Sequence, residues 1–339
     1  MHISTKSFLN NSKSLFIVSI TFSSMVIASV LGICLGVTSI SLTEMVEVIS
    51  SGNTEDPLFR ILLHIRLPRV FGALLSGCAL AVSGAIIQAV LNNPLAGPNI
   101  IGINAGAGFF VLLSLVFLPS AYYLLPFFAF LGALLTTMII MLIAVGANVS
   151  RLTVVLAGFA ISSIFTAGMN TIMILYPDVY VGAGTFLVGG LAALTLSGIF
   201  FPSIYISIAL IFAMLFSRDL NIISLGADTA KSLGMNVKAA RMHLMALAAV
   251  LAGAAVSFAG LLGFVGLVVP HAVRFLIGND NRFVIPASAF LGGTFVIVCD
   301  LIARMAFRPY ELPVGIIMAF IGGPFFIYLI IRHRRKSYD

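Results

Sequence analysis

Long apolar runs, broken by short polar punctuation, fill most of the chain. A helix that crosses a bilayer needs about 20 predominantly apolar residues. Nine runs meet or nearly meet that length: 15–37, 70–91, 100–118, 124–145, 152–175, 199–216, 242–262, 284–306 and 312–331. A tenth, 267–277, carries Pro270 and is too short to cross alone as a regular helix. The pattern predicts an all-α polytopic membrane protein of about ten transmembrane helices. No linker, low-complexity tract or soluble domain interrupts it, so residues 1–339 read as one transmembrane domain with halves near 1–196 and 197–339.

Three stretches depart from this regularity. Residues 92–108, NNPLAGPNIIGINAGAG, follow the second run, where Pro94 and Pro98 lack backbone donors and the glycines permit tight turns. Residues 260–271, GLLGFVGLVVPH, carry Gly260, Gly263 and Gly266, and Pro270 is expected in the first turn of a new helix. Irregular backbone at membrane depth is tolerated only where protein or a water-filled cavity surrounds it, so both stretches are expected inside the bundle, beside a pathway. Each follows an arginine (Arg69, Arg241) and a small-residue-rich run, which hints at an inverted repeat of the kind common in transporters. Gly72, Ser76, Gly77, Gly84, Gly253 and Ser257 would let helix backbones approach closely. The third stretch, 217–241, holds a short helix-like segment, 225–233, closed by Gly234, a residue that accepts the positive φ of a helix end. A short polar helix between two spans has neither lipid nor a core to bury in. It reads as a docking element for a soluble partner or as a solvated loop.

Charge orients the chain. With the N-terminus in the cytoplasm, 13 of the 18 Lys and Arg residues fall on the cytoplasmic side, and Arg60, Arg66, Arg69, Arg304 and Arg308 fall outside. That bias obeys the positive-inside rule, and it places both termini and 217–241 in the cytoplasm. Charged residues make up only 9% of the chain, against about 25% in soluble proteins. The net charge of +7 then reports orientation, and no basic patch interleaved with aromatics calls for nucleic acid.

Chemistry is sparse. Cys34, Cys78 and Cys299 lie far apart in apolar runs, and the five histidines form no metal-spaced pair, so no metal site is expected. No Gly-Lys dipeptide occurs, which excludes a phosphate-binding loop, and no catalytic constellation appears. Within the spans, Asp300 and Arg304 lie four apart on one helix face. The interior otherwise lacks the acids and histidines of an ion-coupled secondary carrier, the alternative from a different class. Energy is expected from a separate ATPase. At the mouth of the second run, Arg66 and Arg69 flank Pro68; they read either as forks for carboxylates or as interfacial snorkelling side chains.

Six strings in order complete the reading: IRLPR (65–69), SGAIIQAVLNNPLAGPNIIGINAGAG (83–108), SRLTVVLAG (150–158), LGADTAKSLGM (225–235), GFVGLVVPHAVR (263–274) and ELPVGIIMAFIGGPFF (311–326). Together they resemble the permease subunits of type II ABC importers for iron-siderophores, haem and cobalamin, the FecCD type. The resemblance implies a bacterial cytoplasmic-membrane protein that translocates an iron chelate, a ferric siderophore ahead of haem or cobalamin. It implies two ABC ATPase subunits that bind ATP and Mg, so that this chain holds no cofactor. It further implies an extracytoplasmic substrate-binding protein, a second permease, identical or paralogous, and membrane lipid around the permeases. Carried onto this sequence, the binding-protein dock is Arg66, Arg69 and Arg304. The cytoplasmic coupling helix is 225–234, with Leu225, Gly226, Ala230, Leu233 and Gly234. The cytoplasmic gate is Asn93, Leu95, Val149 and Ser150.

Overall fold

A computed structural model describes residues 2–36, 40–146 and 151–336. In chain order the helices are α1 (His2–Cys34), α2 (Leu42–Ser51), α3 (Pro57–Ile61), α4 (Leu67–Leu91), α5 (Ile103–Phe117), α6 (Leu125–Gly146), α7 (Arg151–Leu175) and α8 (Pro177–Val188). They continue as α9 (Leu196–Leu215), α10 (Ser217–Ser224), α11 (Ala227–Ser232), α12 (Val237–Ala259), α13 (Val265–Ile277), α14 (Asn281–Met305) and α15 (Val314–Lys336). Among the described residues, seven helices are long and apolar enough to cross a membrane, and α5, α13 and residues 314–328 of α15 are shorter apolar helices. These ten elements coincide with the ten apolar runs.

Helix α4 is the axis of the bundle. In its most apolar window 89% of residues are buried, against 11% for α7, which therefore lies on the rim. Helices α12, α13 and α14 pack around α4. Two glycine crossings make that possible. A Cβ added to Gly77 would stand 2.2 Å from the carbonyl oxygen of Gly292 on α14, and one added to Gly84 only 1.7 Å from that of Gly266 on α13. Small residues at such crossings let backbones touch, which is how helices associate without a hydrophobic drive between them.

The second span begins earlier than its apolar run. Helix α3 passes through a π-helical turn, Leu62–Arg66, directly into α4, which gives a continuous 35-residue helix, Pro57–Leu91. Pro68 near the start of α4 lacks an N–H and carries a ring that crowds the preceding turn. Widening that turn to π geometry accommodates the ring without ending the helix.

Pro270 also departs from expectation. It is not in the first turn of α13 but inside the helix, whose first residue is Val265. Its missing N–H leaves the carbonyl four residues back, that of Gly266, without the usual helical donor. That same carbonyl is the one turned against Gly84, so the proline frees an oxygen at the place where α4 comes closest.

The break between α12 and α13 is surrounded by protein, as irregular backbone at this depth must be. Gly260 (φ 73°) turns the chain, and Leu261 N–H donates to Phe186 O at 2.9 Å. The amide of Asn104 donates to Leu262 O (3.1 Å) and that of Gln88 to Leu267 O (3.3 Å). Phe264 itself has φ 65°, an uncommon state for a residue with a Cβ, and packs over Gly322 of α15.

Helices α2, α3, α8 and α10 lie in stretches the hydrophobic pattern leaves as connections. Helix α2 is held by a reciprocal cap: Ser41 Oγ accepts from Glu44 N–H while the Glu44 carboxylate accepts from Ser41 N–H. Those bonds keep the Glu44 carboxyl below its ordinary pKa.

Candidate functional site

Polar side chains gather at the two ends of α4. Arg69 lies in its first turn and Asn92 just past its last, about 35 Å apart at 1.5 Å per residue.

At the first end, Arg69 Nε sits 2.9 and 3.1 Å from the two oxygens of Asp300, and Arg69 Nη1 lies 2.6 Å from Glu311 Oε2. Arg304, one turn along α14, places Nε 3.1 Å from Asp300 Oδ2 as an ion pair, out of line for a hydrogen bond. A single carboxylate thus lies between two guanidiniums. The side chains are enclosed: relative exposures are 5% for Arg69, 4% for Arg304 and 1% for Asp300.

Arg304, with Arg66 and Arg308, also finishes α1. The last carbonyls of a helix have no internal partners and carry its negative dipole end. Arg304 donates to Gly32 O (3.1 Å) and Leu35 O (3.4 Å), Arg66 to Ile33 O and Cys34 O (2.9 Å for the latter), and Arg308 to Gly36 O. The sequence reading places Arg66, Arg69 and Arg304 on an outward-facing surface. In the structure they are buried, with Arg66 at 4% exposure, because they tie α1, α4 and α14 together. Arg60 and Arg308 are the exposed arginines of this end. Four linked arginines against Asp300 and Glu311 leave the cluster net positive. Glu311, whose side chain is more than a third exposed, is its most accessible acid. A cavity of about 750 Å³ opens beside Arg69 and Glu311, with Tyr122, Thr185, Thr195 and Ser257 among its walls.

At the opposite end, α10 and α11 form a compact double turn. Gly226 (φ 108°) separates them, and Gly234 (φ 82°) ends α11. Met235 N–H donates to Ala230 O and Gly234 N–H to Lys231 O, the paired bonds of a glycine-terminated helix. The helical core is shorter than the 225–234 expected, since Leu225 and Leu233 fall just outside α11. Ala230 is fully buried, whereas Leu225 and Leu233 are 63% and 62% exposed. Two large apolar side chains thus stand exposed on a polar segment. Asn92 secures the unit to α4 by donating to Ser224 O at 3.2 Å.

Of the expected gate, Asn93 and Leu95 occupy a tight turn after α4, where Leu95 N–H donates to Asn93 Oδ1 at 3.0 Å and both residues are half-buried. Val149 and Ser150 lie outside the described residues.

Sequence reasoning missed a polar chain beside this turn. Asn221 Nδ2 donates to Asp280 Oδ1 (2.8 Å), and Asn221 Oδ1 accepts from the backbone N–H (2.8 Å) and the side chain (2.9 Å) of Asn281. Arg274 Nη2 donates to Asn281 Oδ1 at 3.0 Å. Partial burial acts to raise the Asp280 pKa, but the bonds from Arg282 and Asn221 outweigh it and hold the carboxyl below its ordinary value. Asp280 caps α14 and follows Gly278, a stop-and-start signal legible in sequence. The two asparagines give no such signal.

A continuous helical bundle, spans interrupted at Gly260, and a short exposed helix between two spans define a multi-pass membrane transport protein. The sequence model of the FecCD transport family matches residues 24–332, and the chain belongs to that family, whose members are permease subunits of ABC importers and not enzymes. It is 37% identical over 290 residues to the hemin transport system permease protein HmuU of Yersinia pestis, covering 84% of this chain and 87% of HmuU. It is 37% identical over 308 residues to the iron(3+)-hydroxamate import system permease protein FhuB of Bacillus subtilis, covering 90% and 80%. A solved inward-facing ABC transporter assigned to the metal-chelate type superposes with TM-score 0.83 at 27% identity, over 93% of this chain and 99% of that one.

Proposed function

We propose that this permease carries an iron chelate into the cytoplasm, with a ferric siderophore as the favoured cargo over haem. The observation that carries the reading is likeness along nearly the whole chain to permeases named for iron(3+)-hydroxamate and for hemin. In this reading the N-terminus, C-terminus and α10–α11 are cytoplasmic, in keeping with the basic bias. Leu225, Gly226, Ala230, Leu233 and Gly234 seat in an ATPase subunit, and the exposed leucine pair supports that role. Two ATPases, a second permease and an extracytoplasmic binding protein complete the assembly, and ATP and Mg bind the ATPases. The whole chain forms one permease domain, with halves meeting near residue 196.

Docking of the binding protein is assigned to the positive end around Arg66, Arg69 and Arg304. Because these three are enclosed, they act as the fixed source of a positive field, which draws acidic partners toward the accessible Arg60 and Arg308. Asn93, Leu95, Val149 and Ser150 are assigned to the inner gate.

The test is radioiron uptake by cells deleted for this chain and complemented with it. Ferric hydroxamate, ferric citrate and hemin compete in separate arms. Expected is hydroxamate uptake that requires both the chain and a hydrolysis-competent ATPase. Iron-chelate uptake that is indifferent to the chain, or that persists with inactive ATPase, would refute the proposal.

A further inference from the structure

We infer that Asn221, Asn281 and Arg274 are positioning residues that convey movement of the coupling segment to α13 and to the last third of α4. The inference rests on the coupling role proposed above for Leu225–Gly234 and adds the route by which its motion enters the bundle.

The geometry is specific. Asn221 sits on α10, the helix that leads directly into the coupling turn. Its amide uses both ends: the oxygen accepts twice from Asn281, and the nitrogen donates to Asp280. It therefore grips the first residue of α14 together with the cap before it. Asn281 is fully buried, at 0% exposure, and a buried amide that lost these partners would be left unsatisfied at a cost of about 1–3 kcal/mol per group. That cost makes the grip resistant to slippage.

The next link leaves α14. Asn281 Oδ1 accepts from Arg274 Nη2 at 3.0 Å, and the same nitrogen donates to Ala85 O on α4 at 3.2 Å. Arg274 Nη1 reaches Asn279 O at 3.5 Å, so the acceptors found around this guanidinium are neutral oxygens. Arg274 lies on α13, the helix that starts at the Gly260–Phe264 break. Ala85 adjoins Gly84, the residue against which the free Gly266 carbonyl of α13 is pressed. Two points of α13, Gly266 and Arg274, are therefore tied to neighbouring residues of α4. A displacement of α10 that drags Asn281 must either break a bond to Arg274 or move α13 across α4.

Helix α13 is the element able to respond. Its first end is a backbone break with positive φ at Gly260 and Phe264, and its other end closes on Gly278 (φ 86°). A helix bounded by such points can shift as a body, because a few residues absorb the change in φ and ψ.

The test uses the purified permease–ATPase complex and reads amide hydrogen exchange across 260–278 in ADP and in ATP with vanadate, so that no cargo need be known. In the parent complex the exchange of this segment should depend on nucleotide. In Asn221→Ala, and independently in Arg274→Gln, that dependence should shrink by about tenfold, within the usual range of coupling between sites, while ATPase subunits remain bound. The double variant should lose no more than either single one, as members of one chain must. A merely structural role would raise exchange equally in both nucleotide states and keep the dependence, and that result would overturn the inference. Additive losses in the double variant would overturn it as well. Leu233→Asp separates the underlying reading: it should release the ATPase, and if it does not, the coupling assignment fails whatever Asn221 shows.

Discussion

Gly84→Ala adds one carbon to the bundle at its tightest crossing. The new Cβ would lie 1.7 Å from Gly266 O and 2.4 and 2.5 Å from Gly266 C and Cα. A carbon–oxygen contact needs about 3.3 Å even in the close Cα–H···O geometry of packed helices. The deficit is about 1.6 Å, and every offending atom is backbone, so no rotamer change relieves it. Helix α13 must retreat, and its retreat strains the bonds from Arg274 to Ala85 O and from Gln88 to Leu267 O. Overpacking that cores absorb by side-chain shifts costs about 1–3 kcal/mol. A backbone clash belongs at the upper end of that range, about 3 kcal/mol. Alanine returns about 1 kcal/mol of helix propensity relative to glycine, so the net loss is about 2 kcal/mol. The matched control is Gly184→Ala in α8, where an added Cβ meets nothing within 4 Å and the propensity gain stands alone. Unfolding of the detergent-solubilised protein, followed by circular dichroism against denaturant, reads both. Expected is a lower midpoint for Gly84→Ala and an unchanged or raised one for Gly184→Ala. If Gly84→Ala matches the parent, α4 and α13 do not touch here and the account of Pro270 falls with it.

Three further outcomes follow from the same geometry. Asp300→Ala removes the carboxylate between two buried guanidiniums and should cost about 3–5 kcal/mol, the usual penalty for stranding buried charge; a thermal midpoint within error of the parent would contradict the ion-pair core. Gly234→Ala forces a Cβ into a left-handed turn at a cost of about 1–2 kcal/mol, confined to an exposed loop, so global unfolding should barely move while uptake per ATP hydrolysed falls in reconstituted vesicles; unaltered stoichiometry would count against the proposed coupling role. Asp280 is held below its ordinary pKa, so the stability it lends is full above the ordinary carboxylate value and is lost as pH falls through the depressed one; the protection of residues 217–224, taken relative to the intrinsic exchange rate at each pH, should stay flat from neutral pH down into the mildly acidic range, and Arg282→Gln should move the onset of loosening to higher pH.

The legible part of this molecule is what the bilayer dictates. Because lipid cannot hydrogen-bond a backbone, each crossing must be a long apolar helix, and such helices announce themselves one at a time. The break at Gly260 is visible for the same reason, since glycines and Pro270 stand where a span should be regular. What stays hidden depends on neighbours. Arg66, Arg69 and Arg304 look like surface cations in a linear reading, because nothing in sequence reveals that the end of α1 brings bare carbonyls to Arg66 and Arg304, or that Asp300 and Glu311 meet Arg69. Local rules place a proline at a helix start: Pro68 does stand in the first turn of α4, yet the helix continues back through it, and Pro270 lies inside α13. A π turn in one case and a facing glycine in the other let the helix run through. Helix α2 could have been found from Ser41 and Glu44, whose spacing is a capping signature. The Asn221–Asn281 pair could not, because 60 residues of chain separate two amides whose meaning comes only from contact.

The two polar ends are not independent, because the same pair of helices carries both. Helix α4 bears Arg69 at one end and Ala85 and Asn92 toward the other, and α14 bears Asp300 and Arg304 opposite Asn281. Between them, Gly77 and Gly292 meet backbone to backbone, since a Cβ on Gly292 would lie 2.3 Å from Gly77 O. A contact without side chains has no rotamers with which to absorb displacement, so α4 and α14 resist sliding past one another. The Gly84–Gly266 contact ties α13 to α4 in the same way; what distinguishes α13 is that residues with positive φ bound it at both ends, where a change in φ and ψ can be absorbed. If residues 225–234 act as proposed, that division has a direct consequence: a push there is expected as rigid rotation of the α4–α14 pair, felt at the arginine end, or as reorientation of α13 about its two positive-φ ends. Both responses leave the buried charge cluster intact, and that is the condition under which enclosed arginines can be tolerated in a protein that has to change shape.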